Sequence, residues 1–108
     1  MRVWLDDLRP MPNDYTHWAK TSDEAIELLK SGQVKEISLD HDLGHSHYNG
    51  YAEEKTGYSV AKFIEEGAIN GTLKEMRCRV HSQNPVGVKN MKMALQNAYR
   101  AWNKTPLS

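Results

Sequence analysis

Ile37-Ser38-Leu39-Asp40-His41-Asp42-Leu43-Gly44 changes character halfway along. Its first residues are apolar and β-prone; its last are two carboxylates and an imidazole followed by a glycine. Charge at the end of a buried strand costs burial energy unless something pairs with it, so a strand that stops in acids delivers them to a site. Two other runs end the same way. Val3-Trp4-Leu5 leads into Asp6-Asp7, and Met76-Arg77-Cys78-Arg79-Val80 leads into His81-Ser82-Gln83-Asn84-Pro85. Three strand-like segments ending in reactive residues predict one shared pocket at one edge of one sheet.

Outward from this stretch, strands alternate with helices. Arg2–Asp6 is expected to be a strand with Val3 and Leu5 on one face and Trp4 on the other. Pro10 and Pro12 make Leu8–Asp14 a loop. Tyr15–Ala19 reads as a second strand; the short connection makes it antiparallel to the first, unless the loop holds a single helical turn. Thr21-x-x-Glu24 has the form of a capping box, with Ala25, Ile26, Leu28 and Leu29 as the apolar face behind it and Gly32 as its end. Val34–Asp40 is the next strand. His41–Thr56 is a long polar connection, of a length that points to function or motion. Thr56 caps a helix carrying Gly57, Val60, Ala61, Ile64 and Ala68; Asn70-Gly71 is a turn, and Met76–Val80 a strand. Asn84-Pro85 opens a last helix whose buried stripe is Met91, Ala94, Leu95, Ala98 and Trp102, and the tail 103–108 frays. The alternation predicts an α/β fold: one domain over residues 1–108, with a small, mostly parallel sheet of about four strands flanked by helices.

The single Cys78 fits a reduced, cytoplasmic protein, and no segment reaches membrane-spanning length. Formal net charge is zero, but it is split: residues 1–73 hold 7 Lys/Arg against 13 Asp/Glu, a net of −6, and residues 74–108 hold 7 against 1, a net of +6. That split is consistent with an acidic, metal-binding edge beside a basic, phosphate-attracting one, or with a dipolar surface that has no partner. It argues against a strongly basic nucleic-acid binder, and no DNA partner is expected.

Asp6, Asp7, Asp40 and Asp42 would share the sheet's carboxyl edge, where unrelieved carboxylates raise one another's pKa. A divalent cation relieves them, and an oxygen-rich set suits Mg²⁺ or Mn²⁺. His41 and His81, both at strand ends, are placed to act as general base and general acid on a phosphodiester. His45 and His47 have a spacing open to metal or to plain solvation. Ser82 and Asn84 precede a helix whose free N–H groups attract anions; Asn84 caps that helix, faces a phosphate, or does both. Arg9 would pair with Asp7 or hold a phosphate bidentately.

The element order resembles a truncated response-regulator receiver, a flavodoxin-like fold, with Asp6-Asp7, Asp40 and Ser82 at the acidic, acceptor and hydroxyl positions. Two departures stand out: a proline loop replaces the first receiver helix, and no final strand supplies the phosphate-binding lysine. A closer resemblance is to the cyclic-phosphate processing receiver-like domains. It rests on Asp6-Asp7-x-Arg9-x-x-Pro12, Leu39-Asp40-His41-Asp42-Leu43-Gly44, Thr56-Gly57-Tyr58 and His81-Ser82-x-Asn84-Pro85-x-Gly87-x-x-Asn90-Met91. This resemblance implies action on cyclic phosphates, at RNA ends or in cyclic nucleotides, in RNA-repair or phage-conflict settings. Asp40-x-Asp42 also looks like the first motif of haloacid-dehalogenase-type phosphatases, but there the acidic pair comes late, the reverse of this order.

The expectation is therefore a metal-assisted phosphoesterase in which water, rather than Asp40, attacks a cyclic phosphate. Two alternatives stand beside it. One is a module that sequesters a cyclic nucleotide between aromatics such as Trp4, Tyr48, Tyr51 and Tyr58; the other is a degenerate receiver used for protein contact. A homodimer covering an apolar sheet edge is a further expectation.

Overall fold

In the computed structural model, which describes residues 1–43 and 56–103, four strands form one parallel sheet in the order β2-β1-β3-β4. They are β1 (Arg2–Leu5), β2 (His17–Ala19), β3 (Glu36–Leu39) and β4 (Arg77–Val80), with helices α1 (Ser22–Lys30), α2 (Gly57–Asn70) and α3 (Pro85–Asn103). Side chains alternate across each strand. Val3, Leu5, Ile37 and Leu39 are fully buried and form one core with Ala25 and Leu29 of α1, Ile64 of α2, and Met91 and Ala98 of α3.

Capping follows the sequence. Thr21 and Glu24 close a reciprocal capping box at α1, and Thr56 Oγ1 accepts the Tyr58 N–H at α2. Asn84 Oδ1 accepts the Gly87 N–H at 2.9 Å, so Asn84 caps α3 with Pro85 as its first residue. Gly32 and Gly71 sit at φ 76° and 82° behind α1 and α2, a region glycine enters without penalty.

The second strand corrects the sequence reading. β2 pairs with β1 in parallel, with Val3 opposite His17 and Leu5 opposite Ala19, and the connection 6–16 holds no helical turn. That crossover can be short because β2 is a three-residue edge strand and the loop is tied back to β1 through Trp4. Trp4 Nε1 donates to the Arg9 carbonyl, the Trp4 and Tyr15 rings meet edge-on at 5.4 Å, and Trp18 Nε1 donates to the Asp6 carbonyl. At the other edge, β4 shows exposed Arg77 and Arg79 where an apolar face was expected, and Trp102 of the predicted buried stripe is half-buried. No helix among the described residues is long and apolar enough to cross a membrane.

Candidate functional site

The strand register builds the site. Leu5 pairs with Leu39 and Leu39 with Val80, so Asp6, Asp40 and His81 are the next residues on three adjacent strands. The ladder carries on through them: Asp40 N–H donates to the Leu5 carbonyl at 3.0 Å and His81 N–H to the Leu39 carbonyl at 2.9 Å. Two carboxylate oxygens and one imidazole nitrogen of this trio lie within 4.8 Å of one another.

Each member is held from outside. Asp6 is 1% exposed; its Oδ1 accepts the Leu8 and Arg9 N–H groups at 2.8 Å, and its Oδ2 lies 3.0 Å from His81 Nε2. His81 Nδ1 lies 2.7 Å from Ser38 Oγ, and its ring stacks on Trp4 with centroids 3.8 Å apart and planes 5° from parallel. Asp40 Oδ1 accepts the His41 N–H at 2.9 Å, and the nearby Ser82 side chain favours the charged form of its carboxylate.

Burial, then the neighbouring Asp6 charge, pushes the Asp40 carboxyl above its ordinary range. Burial also pushes the His81 imidazole down, against the opposing pull of the Asp6 hydrogen bond, so neutral imidazole is the favoured form near neutral pH.

The other expected residues are distributed around this trio. His41 turns toward α3: its Nδ1 lies 2.8 Å from Asp42 Oδ1, and Asn84 Nδ2 donates to that same oxygen at 3.2 Å. Gly87 makes room for the imidazole, since a Cβ there would overlap the His41 ring. The described contacts do not join His41 to His81, and Asp42 belongs to this second group rather than to the trio. Asp7 is half-buried and likewise outside the trio. Arg9 Nη1 donates to the His81 carbonyl at 2.9 Å, rather than to a carboxylate. Ser82 Oγ accepts the Asn84 N–H at 3.1 Å. With the Gly87 N–H on Asn84 Oδ1 and the Val88 N–H on the Asn84 carbonyl, Val86 carries the remaining N–H of the first turn of α3. His45, His47, Tyr48 and Tyr51 lie outside the described residues, and Trp4 is occupied by His81 on one face and Tyr15 at its edge.

Ser38 is a contributor that the sequence reading passes over, and Trp4 and Gly57, both noted there, take roles it did not assign them. The period-2 alternation carries the signal for the first two, because Trp4 and Ser38 are cross-strand partners on the face that ends in Asp6 and Asp40. The Thr56-Gly57-Tyr58 run marks Gly57 without giving its role: a Cβ there would overlap the Asp40 carbonyl oxygen, a contact known only once α2 is docked.

A model of the cyclic-phosphate processing receiver domain matches residues 1–97 of the chain. Neither the curated proteins nor the solved structures contain a match.

Proposed function

The chain belongs to the family of cyclic-phosphate processing receiver domains, and on that premise we propose that it is a metal-assisted phosphoesterase that opens a cyclic phosphate by attack of water. The observation that supports this most is the convergence of Asp6, Asp40 and His81. Two carboxylate oxygens and an imidazole nitrogen fit a divalent cation, which would also relieve the repulsion that helps raise the Asp40 pKa. The nitrogen donor favours Mn²⁺ over Mg²⁺. When bound, the cation supplies Lewis-acid polarisation of a phosphoryl oxygen.

Ser38 holds His81 Nδ1, which leaves Nε2, 3.0 Å from Asp6 Oδ2, as the nitrogen that would join Asp6 and Asp40 in holding the cation. Proton movement falls to His41. Asp42 fixes the His41 Nδ1–H, leaving Nε2 to take the proton of the attacking water. As the water oxygen bonds to phosphorus, one ring P–O bond breaks. The departing ribose oxygen receives the proton and a phosphomonoester remains. Ser82, the Val86 N–H and Arg9 are the groups assigned to the phosphate, and Asn84 positions them by capping α3 and holding Asp42. A reducing, cytoplasmic setting belongs to this reading, in keeping with the single Cys78.

The test is product analysis on 2′,3′-cyclic-phosphate nucleotides and RNA ends, 3′,5′-cyclic mononucleotides and cyclic dinucleotides, each with Mn²⁺, Mg²⁺ or chelator. Ring opening that needs the metal and is lost in His81→Ala and His41→Ala is the expected result. A ligand retained but recovered unopened would make the protein a sequestering module, and no interaction with any of the panel would leave protein contact as its use.

A further inference from the structure

The sheet face that ends in Asp6, Asp40 and His81 is the one turned away from the core. Below that trio the register places two more rows: Trp4, Ser38 and Arg79, then Arg2, Glu36 and Arg77. Between the β4 side of this face and α3 runs a groove of about 520 Å³ that starts at His81 and is lined by Ser38, Arg79, Lys92, Gln96 and Tyr99. A second hollow of about 610 Å³ continues past Tyr99 to Arg77, Lys35 and Arg2.

Its charge is one-sided. Arg79, Lys92, Arg77 and Lys35 are exposed along it. Of the two acids lining it, Glu36 is buried under Tyr15, Arg2 and Arg79, which leaves Glu75. Tyr99 lies between the two hollows with its hydroxyl tied to the Cys78 backbone, so its ring is a fixed platform among the cations. A basic track interrupted by an aromatic ring is how single-stranded nucleic acid is held without base reading. From His81 to Arg77 the strand descends roughly 13 Å at about 3.3 Å per residue. A stacked strand advances about 3.4 Å per nucleotide, so the groove spans several.

We propose that this groove holds the single-stranded RNA leading to the cyclic phosphate, so that the substrate is an oligoribonucleotide 3′ end rather than a cyclic mononucleotide. The choice of RNA rests on the phosphoesterase reading above, because a strand that leads to a terminal cyclic phosphate ends in a 2′,3′ ring, which only a ribose 2′-oxygen can close.

The experiment compares a nucleoside 2′,3′-cyclic phosphate with di-, tri- and tetraribonucleotides ending in the same group. Wild type and the double variant Arg77→Gln/Lys92→Gln, both substitutions at exposed positions, are run in parallel. Binding of a 5′-fluorescein trinucleotide by anisotropy across a salt series forms the second arm. Wild-type kcat/KM is expected to rise at least tenfold from mono- to trinucleotide, and that ratio to fall at least fivefold in the variant. The slope of log K against log salt should flatten by roughly 0.7 for each phosphate contact removed. Equal kcat/KM at every length, or faster opening of a cyclic dinucleotide, overturns the groove while leaving the phosphoesterase standing. Trinucleotide binding that weakens in the variant, with no ring opened, supports the groove and removes the phosphoesterase. Absence of trinucleotide binding with the mononucleotide opened also overturns the groove.

Discussion

Asp6 Oδ2 lies 3.0 Å from His81 Nε2 although the two residues are 75 positions apart in the chain. Parallel pairing of β1, β3 and β4 puts them at one level, with Asp40 between them. Because Asp6 is buried and burial with the Asp6 charge raises the Asp40 pKa, the trio is under electrostatic strain that a divalent cation, on the proposed reading, would relieve. Mn²⁺ at a hundred times its Kd should then stabilise the fold by about 2.7 kcal/mol. For a domain of this size that is a rise in Tm of roughly 10 °C or more. Asp40→Asn keeps the shape and the oxygen that accepts the His41 N–H, yet should abolish the shift. Differential scanning fluorimetry with Mn²⁺ and then EDTA reads it, and an equal shift in the variant would remove Asp40 from the cation site.

Gly57, the first residue of α2, packs so close to the end of β3 that a Cβ there would overlap the Asp40 carbonyl oxygen. Gly57→Ala has to push the helix start away from the strand end, an overpacking of the kind that costs about 1–3 kcal/mol. Urea denaturation should show a lower midpoint with an unchanged slope, and Mn²⁺ affinity should fall as well because Asp40 moves with its carbonyl. Loss of stability with full metal affinity would mean that the helix yields and the strand end does not.

Much of the site was legible because it follows from alternation and strand ends. Asp6, Asp40 and His81 were each readable as the first residue past an apolar run, and the parallel register does the rest. Thr21, Thr56 and Asn84 were readable as caps, since capping depends on residues only a few positions apart. What sequence spacing does not carry is which partner a side chain chooses. His41 was expected across from His81 and instead pairs with Asp42, and Arg9 donates to the His81 carbonyl, a contact that no spacing signals. The direction of β2 was open for the same reason: it depends on the loop 6–16 packing on Trp4, a tertiary contact that overrides the usual length of a crossover.

Away from the site, Glu36 is 6% exposed and accepts from Tyr15 at 2.6 Å and from Arg2 at 3.1 Å, with Arg79 at 3.4 Å. The Tyr15 hydrogen bond, then the Arg2 hydrogen bond and the charges of Arg2 and Arg79, hold the Glu36 carboxyl below its ordinary value of 4.5. The unfolded chain therefore takes up this proton at a higher pH than the native protein does. The stability this network supplies is full above about pH 4.5 and drains away as the pH falls through that value toward the lower native pKa. Glu36→Gln should be less stable than wild type at pH 7, and the two proteins should converge as the pH is lowered to 3. Urea midpoints measured across that range give the comparison; a constant gap would place the effect in packing rather than charge.

Tyr99 guards the outer edge of the sheet. Its hydroxyl accepts the Cys78 N–H at 2.9 Å and donates to the Cys78 carbonyl at 3.2 Å, so a side chain of α3 takes the place of a neighbouring strand. Exposed Arg77 and Arg79 flank that position and discourage another chain from pairing there. Tyr99→Phe leaves a backbone donor and acceptor without their partner, at a cost of about 1–2 kcal/mol. It also frees the edge for association, which light scattering at rising protein concentration would register. Cys78 supplies an internal reporter, since burial pushes its thiol up to about 12 and keeps it protonated and unreactive. Cys78 is half-buried, so wild-type labelling under native conditions should be slow, and in Tyr99→Phe it should proceed several-fold faster. A variant with wild-type labelling and no association would show that solvent satisfies the Cys78 backbone as well as the phenol does, and that the arginines alone protect the edge.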